Sequence, residues 1–301
     1  MGIPTETVYG LAANAWDHQA VLKIFQAKNR PHFNPLILHS NSIQKFESFG
    51  LNFSEKALLL AEKFWPGPLT IVIPKSSLVP DLITSGTDAV AIRIPNHPIA
   101  LDLLESINFP LAAPSANPSG FVSPTNAEHV LAQLGDQVHY VLDGGQCSIG
   151  LESTIISFLN EQPEILRFGG LALESIESII GKINIPILGY SDNPVAPGML
   201  KKHYATRHQM LRGEIKDLLK HFPADRVALI SFNEFFEEVD PDKQFILSRD
   251  GSLEEAASNL FSAMRQADAL DVDIILAAIF PNIGLGRAIN DRLNRASATD
   301  S

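Results

Sequence analysis

The chain has a single cysteine, Cys147, in 301 residues. That excludes an internal disulfide framework and suits a reducing compartment. Close-spaced Cys/His sets are absent as well, and HYATRH at 203–208 matches none of them, so no structural metal is expected. With no basic-then-apolar leader and no run of 18 uncharged apolar residues, the sequence predicts neither secretion nor a membrane span, and points to the cytoplasm. Positive charge is scarce: 23 Lys and Arg stand against 34 Asp and Glu, for a net charge of −11. A broad electrostatic nucleic-acid surface is therefore disfavoured, although a local basic groove is not. The familiar catalytic signatures are lacking too. There is no GxxxxGK[ST] loop, no GxSxG elbow and no credible Cys–His pair. GLGRA at 284–288 is not a dinucleotide fingerprint, and it opens the last helix rather than the first.

What is present is an ordinary globular composition, 45% apolar and 19% charged, in a chain long enough for two domains. Asp17 can cap a helix reaching about Lys28, with Val21, Ile24 and Phe25 on its buried stripe. Ser54 can cap a second helix that ends before Pro66. PLILH, LTIVI, AVAIRI, STIISF and EILRF read as short strands, with helices over 98–106, 126–134 and 173–180 between or after them. Closely spaced strands mixed with helices predict an α/β domain with a twisted, partly antiparallel sheet. Residues 183–199 hold Pro186, Gly189, Pro194, Pro197 and Gly198, which reads as an extended connector. Beyond it, RVALIS, QFILS, a helix at 252–267, DIILAAIF and a helix from 286 predict a smaller α/β domain with a parallel sheet.

Candidate functional residues gather at element ends. In PTETVYG, Thr5, Thr7 and Tyr9 share one parity, so a strand here would carry hydroxyls along one face. KNRP places Lys28 and Arg30 at a helix end, either as a favourable cationic C-terminus or as a phosphate clamp. His39 closes a strand. Arg93 sits in an otherwise apolar strand and needs a partner, either a protein carboxylate or a ligand's. APSAN puts Ser115 and Asn117 in a small-residue loop, ESTI puts Ser153 and Thr154 beside Glu152, and Arg167 precedes a glycine pair. This inventory positions and neutralises anions without an obvious nucleophile.

Taken in order, PTETVYGLAANA, KNRPHFNPLILH, WPGPLTIVI, AIRIP, APSAN, ESTI and ILRFGG resemble the ordered signature of the YrdC/Sua5 family over residues 2–170. PGMLKKHYA resembles the linker of its longer, Sua5-type members, and EAASNLFSAMRQAD and GLGRAINDRLNRA resemble their C-terminal domain. The resemblance implies a YrdC-like mixed-sheet catalytic domain at 1–182, a linker at 183–206 and a smaller Rossmann-like domain at 207–301. It implies synthesis of threonylcarbamoyl-AMP from L-threonine, bicarbonate or CO₂, and ATP with Mg²⁺. The product would serve tRNA N6-threonylcarbamoyladenosine formation through a downstream transfer machinery. On this reading Lys28, Arg30, Ser115, Asn117 and Arg167 surround the nucleotide, with Lys28 and Arg30 in electrostatic catalytic roles. Thr5, Tyr9, His39, Arg93 and Ser153 line the threonine side, Arg93 facing the substrate carboxylate. Pro197, Gly198, Met199, Lys201, His203 and Tyr204 would form a gate over the pocket. The proton acceptor for the threonine ammonium has no assignment.

The chain departs from the family pattern in four places. The family usually has a helix and a fuller first strand before PTETVYG, so either weaker folding or a pocket open on one side is expected here. Asn29 stands where a glycine is usual, Phe168 where a proline is common, and HYA is followed by Thr206 rather than proline. Two other readings compete: an RNA-binding module with weak tRNA affinity, and a carbamoyl-transfer protein. Against the first, residues 1–190 hold 10 Lys and Arg against 17 Asp and Glu. Against the second, the zinc-finger and acylphosphatase segments of such proteins have no counterpart in the sequence.

Overall fold

The computed structural model describes residues 1–186 and 203–298. Nine short strands precede residue 187: β1 (Gly2–Ile3), β2 (Gly10–Leu11), β3 (Ala13–Asn14), β4 (Ile37–His39), β5 (Leu69–Pro74), β6 (Ala89–Arg93), β7 (Leu111–Ala112), β8 (Thr154–Ser157) and β9 (Glu164–Arg167). Seven of them form one sheet in the order β3-β7-β4-β6-β5-β8-β9, while β1 and β2 pair with each other. The sheet is mixed: β4 runs parallel to β6 and β5 parallel to β8, and its other neighbours are antiparallel.

The expected caps form. Asp17 accepts from the Gln19 and Ala20 amides at the start of the helix His18–Lys28, and Ser54 caps the helix Glu55–Phe64. Asn29 ends the first of these helices with φ 48° and ψ 41°. This is the left-handed conformation that glycine favours and asparagine tolerates, so the departure at this position keeps the same turn.

Strand parity decides where the site can lie. Leu38, Ile71, Ile92 and Ile156 enter the main core beneath the helices, whereas Ile37, Val72, Ala91 and Ile155 form a smaller cluster on the other face. Side chains alternate along a strand, so His39 follows Ile37 and Arg93 follows Ala91 onto that second face. The parallel register of β4 and β6 sets His39 beside Arg93.

The second unit has a four-stranded sheet, β10 (Gln209–Arg212), β11 (Val227–Ser231), β12 (Gln244–Ile246) and β13 (Ile274–Ala277), in the order β10-β13-β11-β12 and parallel throughout. Strand β10 was not anticipated from the sequence. The helices Leu253–Ala269 and Gly286–Ala296 supply Phe261, Met264, Ile289 and Leu293 to a core that also takes in Val8, Val122 and Leu151 from the first unit. Close packing between the units is visible at Gly150. It has φ +71°, and a Cβ there would lie 2.6 Å from the Ser258 carbonyl oxygen.

Candidate active site

PTETVYG is a bend, not the strand that its parity suggested. Residues 4–9 link β1 to β2, and the Thr5 hydroxyl donates to the Val8 carbonyl at 2.6 Å while lying 2.9 Å from the Thr7 hydroxyl. Hydroxyl side chains satisfy nearby backbone groups in this way and so compete with ladder formation. The pocket consequently receives Thr5 and Val8, residues of opposite parity. Tyr9 turns away from it. Its hydroxyl donates to the Gly145 carbonyl at 2.8 Å and accepts from the Gly144 amide at 2.9 Å, and it is absent from the pocket lining.

The expected cations converge. Arg30, Arg93 and Arg167 line one pocket together with Thr5, His39, Ser115, Ser153 and His203. Lys28 is buried behind this wall, with its ammonium donating to the Ser115 carbonyl at 2.5 Å and to the Asn117 carbonyl at shorter range. It thereby ties the first helix to the APSAN loop. Asn117 itself points into that loop, its amide donating to the carbonyls of Pro118 and Phe121 at 2.8 Å. Arg30 is held by the Asn34 side chain and the Pro35 carbonyl, both at 2.7 Å, and Arg167 by the Ser153 carbonyl at 2.9 Å and hydroxyl at 3.1 Å. The Ser153 hydroxyl also lies 2.7 Å from that of Thr70. Gly169 permits this approach, since a Cβ there would lie 2.3 Å from the Glu152 carbonyl oxygen.

These cations are crowded and desolvated. Burial, and then Arg30, push the Lys28 ammonium well below its ordinary value. Burial and then Arg167 bring Arg30 down to about 9. Burial brings Arg167 down to about 10, against the opposing pull of Tyr204 and Glu152. Burial and then Arg93 depress His39 to about 3, so its imidazole is neutral. Repelling positive groups held in one desolvated pocket favour an anionic ligand.

Two carboxylates were not singled out as site residues by the sequence. Glu6 pairs with Arg93 at 2.8 Å, both buried, so the partner demanded by a buried guanidinium is a protein carboxylate in this structure. Glu152 lines the pocket, accepts from the Ser123 hydroxyl at 2.6 Å and is paired with Arg292 at 2.9 Å. Burial alone would raise its carboxyl, but Arg292, Arg167, Ser123 and His203 hold it at about 2. The one available signal was a Glu or Asp amid small and apolar neighbours, which asks for a buried partner without naming it.

Of the expected gate, Pro197, Gly198, Met199 and Lys201 lie outside the described residues. His203 lines the pocket, neutral at a value of about 3 because of its burial. Tyr204 is fully buried and stacks on Phe261 with ring centroids 5.4 Å apart. Among the described residues no cluster of three or more His, Cys, Asp or Glu side chains could hold a metal ion, and no helix is long and apolar enough to cross a membrane.

A mixed sheet with cations at its strand ends, joined to a small parallel-sheet unit, matches known proteins across its length. A family model for Sua5, YciO and YrdC proteins, described as "Telomere recombination", matches residues 1–169, so the chain belongs to the Sua5/YciO/YrdC family. A second model, "Threonylcarbamoyl-AMP synthase, C-terminal domain", matches residues 171–298 and marks the long, two-domain Sua5 type. The chain is 44% identical to the threonylcarbamoyl-AMP synthase of Pyrococcus abyssi over 99% of its own length and 90% of that protein's. To the Bacillus subtilis threonylcarbamoyl-AMP synthase it is 40% identical, over 99% and 89%. The crystal structure of P. abyssi Sua5 complexed with L-threonine superposes with a TM-score of 0.91, covering 98% of this chain and 89% of that one.

Proposed function

We infer that this chain is a threonylcarbamoyl-AMP synthase. The observation that carries the reading is the convergence of Arg30, Arg93 and Arg167 on one pocket, with Lys28 buried behind its wall, in a chain 44% identical to a synthase whose structure holds L-threonine. The threonine ammonium loses a proton, and the free amine adds to CO₂ with release of a second proton, or condenses with bicarbonate with loss of water, to give an N-carboxylated threonine. A carbamate oxygen then attacks the α-phosphorus of ATP, the bond to the β-phosphate oxygen breaks, and pyrophosphate leaves. No covalent nucleophile from the protein is required. Rate enhancement comes from alignment and from neutralising the charge gathered on phosphate.

In this reading Lys28 and Arg30 serve the nucleotide phosphates, with Lys28 acting largely by fixing the Ser115–Asn117 loop that borders them. Arg167 serves the nucleotide with them, and Ser153, which holds its guanidinium, belongs to the threonine side. Arg93, His39 and Thr5 form the threonine side. Arg93 meets the substrate carboxylate while Glu6 holds the guanidinium from behind, and His39 offers a neutral imidazole. Mg²⁺ enters as part of the ATP substrate. The carboxylate lining the pocket, Glu152, is already engaged by Arg292 and Ser123. We also propose the division into a catalytic unit at 1–182, a connector at 183–206 and a second domain at 207–301. Delivery of the product to a cytoplasmic tRNA-modifying transferase belongs to the same proposal.

The test is substrate dependence. Pyrophosphate release should need ATP, L-threonine and bicarbonate together, with a product of the adenylate's mass. Equal release without threonine would reject the assignment.

A further inference from the structure

One charged side chain of the second domain reaches a carboxylate of the pocket wall. Arg292, on the helix Gly286–Ala296, is 0% exposed although it carries a charge. Its Nε donates to the Glu152 carboxylate at 2.9 Å, and its Nη1 donates to the Phe168 carbonyl and to Asp291, both at 2.8 Å. Its guanidinium carbon lies 5.2 Å from the centre of the Tyr204 ring. Of these partners Glu152 lines the pocket, while Phe168 and Tyr204 are the chain neighbours of the lining residues Arg167 and His203.

We propose that Arg292 is a positioning residue for the adenylate-forming reaction, acting on the pocket through Glu152. The inference rests on the synthase reading. An ionised carboxylate in a wall that must receive a polyphosphate would repel it, and burial strengthens that repulsion. Arg292 offsets the charge of Glu152, Asp291 is shared between Arg292 and Arg295, and Ser123 fixes the Glu152 carboxylate's second oxygen. Arg167 lies in the same wall. With Glu152 satisfied from the second domain, Arg167 keeps its place on Ser153 instead of being drawn toward the carboxylate. The fork geometry of a guanidinium matters, since one planar group serves a carboxylate, a backbone carbonyl and an aromatic face together. The second domain therefore contributes to catalysis without touching substrate.

The experiment uses the full chain with Arg292→Met, Arg292→Lys, Glu152→Gln and the Arg292→Met/Glu152→Gln double substitution. Steady-state KM and kcat are measured for ATP and threonine, and calorimetric binding of a non-hydrolysable ATP analogue is measured in parallel. Stranding Glu152 in Arg292→Met should raise the ATP KM and the analogue Kd by about tenfold or more, with a smaller change in threonine KM. Removing the carboxylate as well should return both values to within about threefold of Glu152→Gln alone. Arg292→Lys keeps the charge without the fork, so it covers the case in which Arg292→Met does not fold, and about a threefold or larger rise is expected. A folded Arg292→Met or Arg292→Lys with parental ATP KM and analogue Kd would overturn the proposal. So would a double variant as impaired as Arg292→Met. An unsubstituted chain that binds the analogue yet forms no adenylate would refute the synthase reading alone, and the analogue Kd values would still judge Arg292.

Discussion

Glu6 and Arg93 form a buried ion pair, 2.8 Å apart, at the end of strand β6. The Arg93 Nε also donates to the Gly67 carbonyl at 3.2 Å, so the WPGP turn and the PTETVYG bend hold the guanidinium from two sides. Such a cation is rigidly aimed before any ligand arrives.

Replacing Arg93 with alanine should therefore do two separable things. It strands the Glu6 carboxylate, at a stability cost of about 3–5 kcal/mol, and it weakens threonine use. The Glu6→Gln/Arg93→Met double variant should regain most of the stability but not the threonine affinity. Chemical denaturation and threonine titration of both proteins check the separation. Unchanged threonine affinity in the folded double variant would reject Arg93 as the carboxylate partner.

Lys28 and Arg30 should act on the nucleotide side. In Lys28→Met the Ser115 and Asn117 carbonyls lose their shared donor, and the loop between them relaxes. Arg30→Ala removes a guanidinium from the pocket wall directly. Each should weaken ATP binding by about 2–3 kcal/mol while leaving threonine binding within about threefold. Lys28→Arg should not rescue, because a bulkier planar fork replaces a point-charge donor in a fully buried slot. Calorimetric titration with each substrate reads the difference.

Much of the fold was legible because it is local. Asp17 and Ser54 announce helix starts through side-chain oxygens that accept from backbone amides a few residues on. The apolar runs of β4, β5, β6 and β8 announced strands for equally local reasons. PTETVYG misled because Thr5 satisfies the Val8 carbonyl within its own bend, a choice invisible to a parity argument. Tyr9 misled similarly, since its hydroxyl is satisfied by residues 144 and 145, more than 130 positions away. Arg292 carried no signal whatever. In RAINDRLNRA it looks like one of three solvated arginines, and only the docking of the two units places it against Glu152.

Acid should destabilise the protein well before its carboxylates titrate. His39 and His203 titrate near 3 in the folded chain, below the ordinary 6.5, so between those values the unfolded chain binds protons that the folded chain refuses. Their contribution is present above pH 6.5 and is lost as pH falls through that window, by about 1–2 kcal/mol per histidine at pH 5.5. Glu152, held at about 2, adds a further loss as pH falls from 4.5 toward that value. Thermal midpoints from pH 7.5 to 4 should fall accordingly, and His39→Gln should flatten the upper part of the curve. An equal slope in that variant would show that His39 is not responsible.

Gly150 should accept no side chain. Its φ of +71° disfavours any L-residue, and the close approach of the Ser258 backbone leaves no space for a Cβ. Gly150→Ala should cost more than about 2 kcal/mol and impair turnover, although residue 150 is absent from the pocket lining. A parental midpoint in that variant would mean that the interface gives way at no cost.

The core beneath Tyr204 belongs to neither unit alone, because Val8, Val122 and Leu151 pack with Met210, Phe261 and Leu293 in one cluster. Expressed separately, each half would turn its share of that cluster toward water, the larger losing the support behind its pocket and the smaller exposing the flank of its helices. The two halves should then be sticky and poorly behaved apart, yet reconstitute when produced together as separate polypeptides. Heat should melt the intact chain in a single step, since the shared cluster couples the two halves.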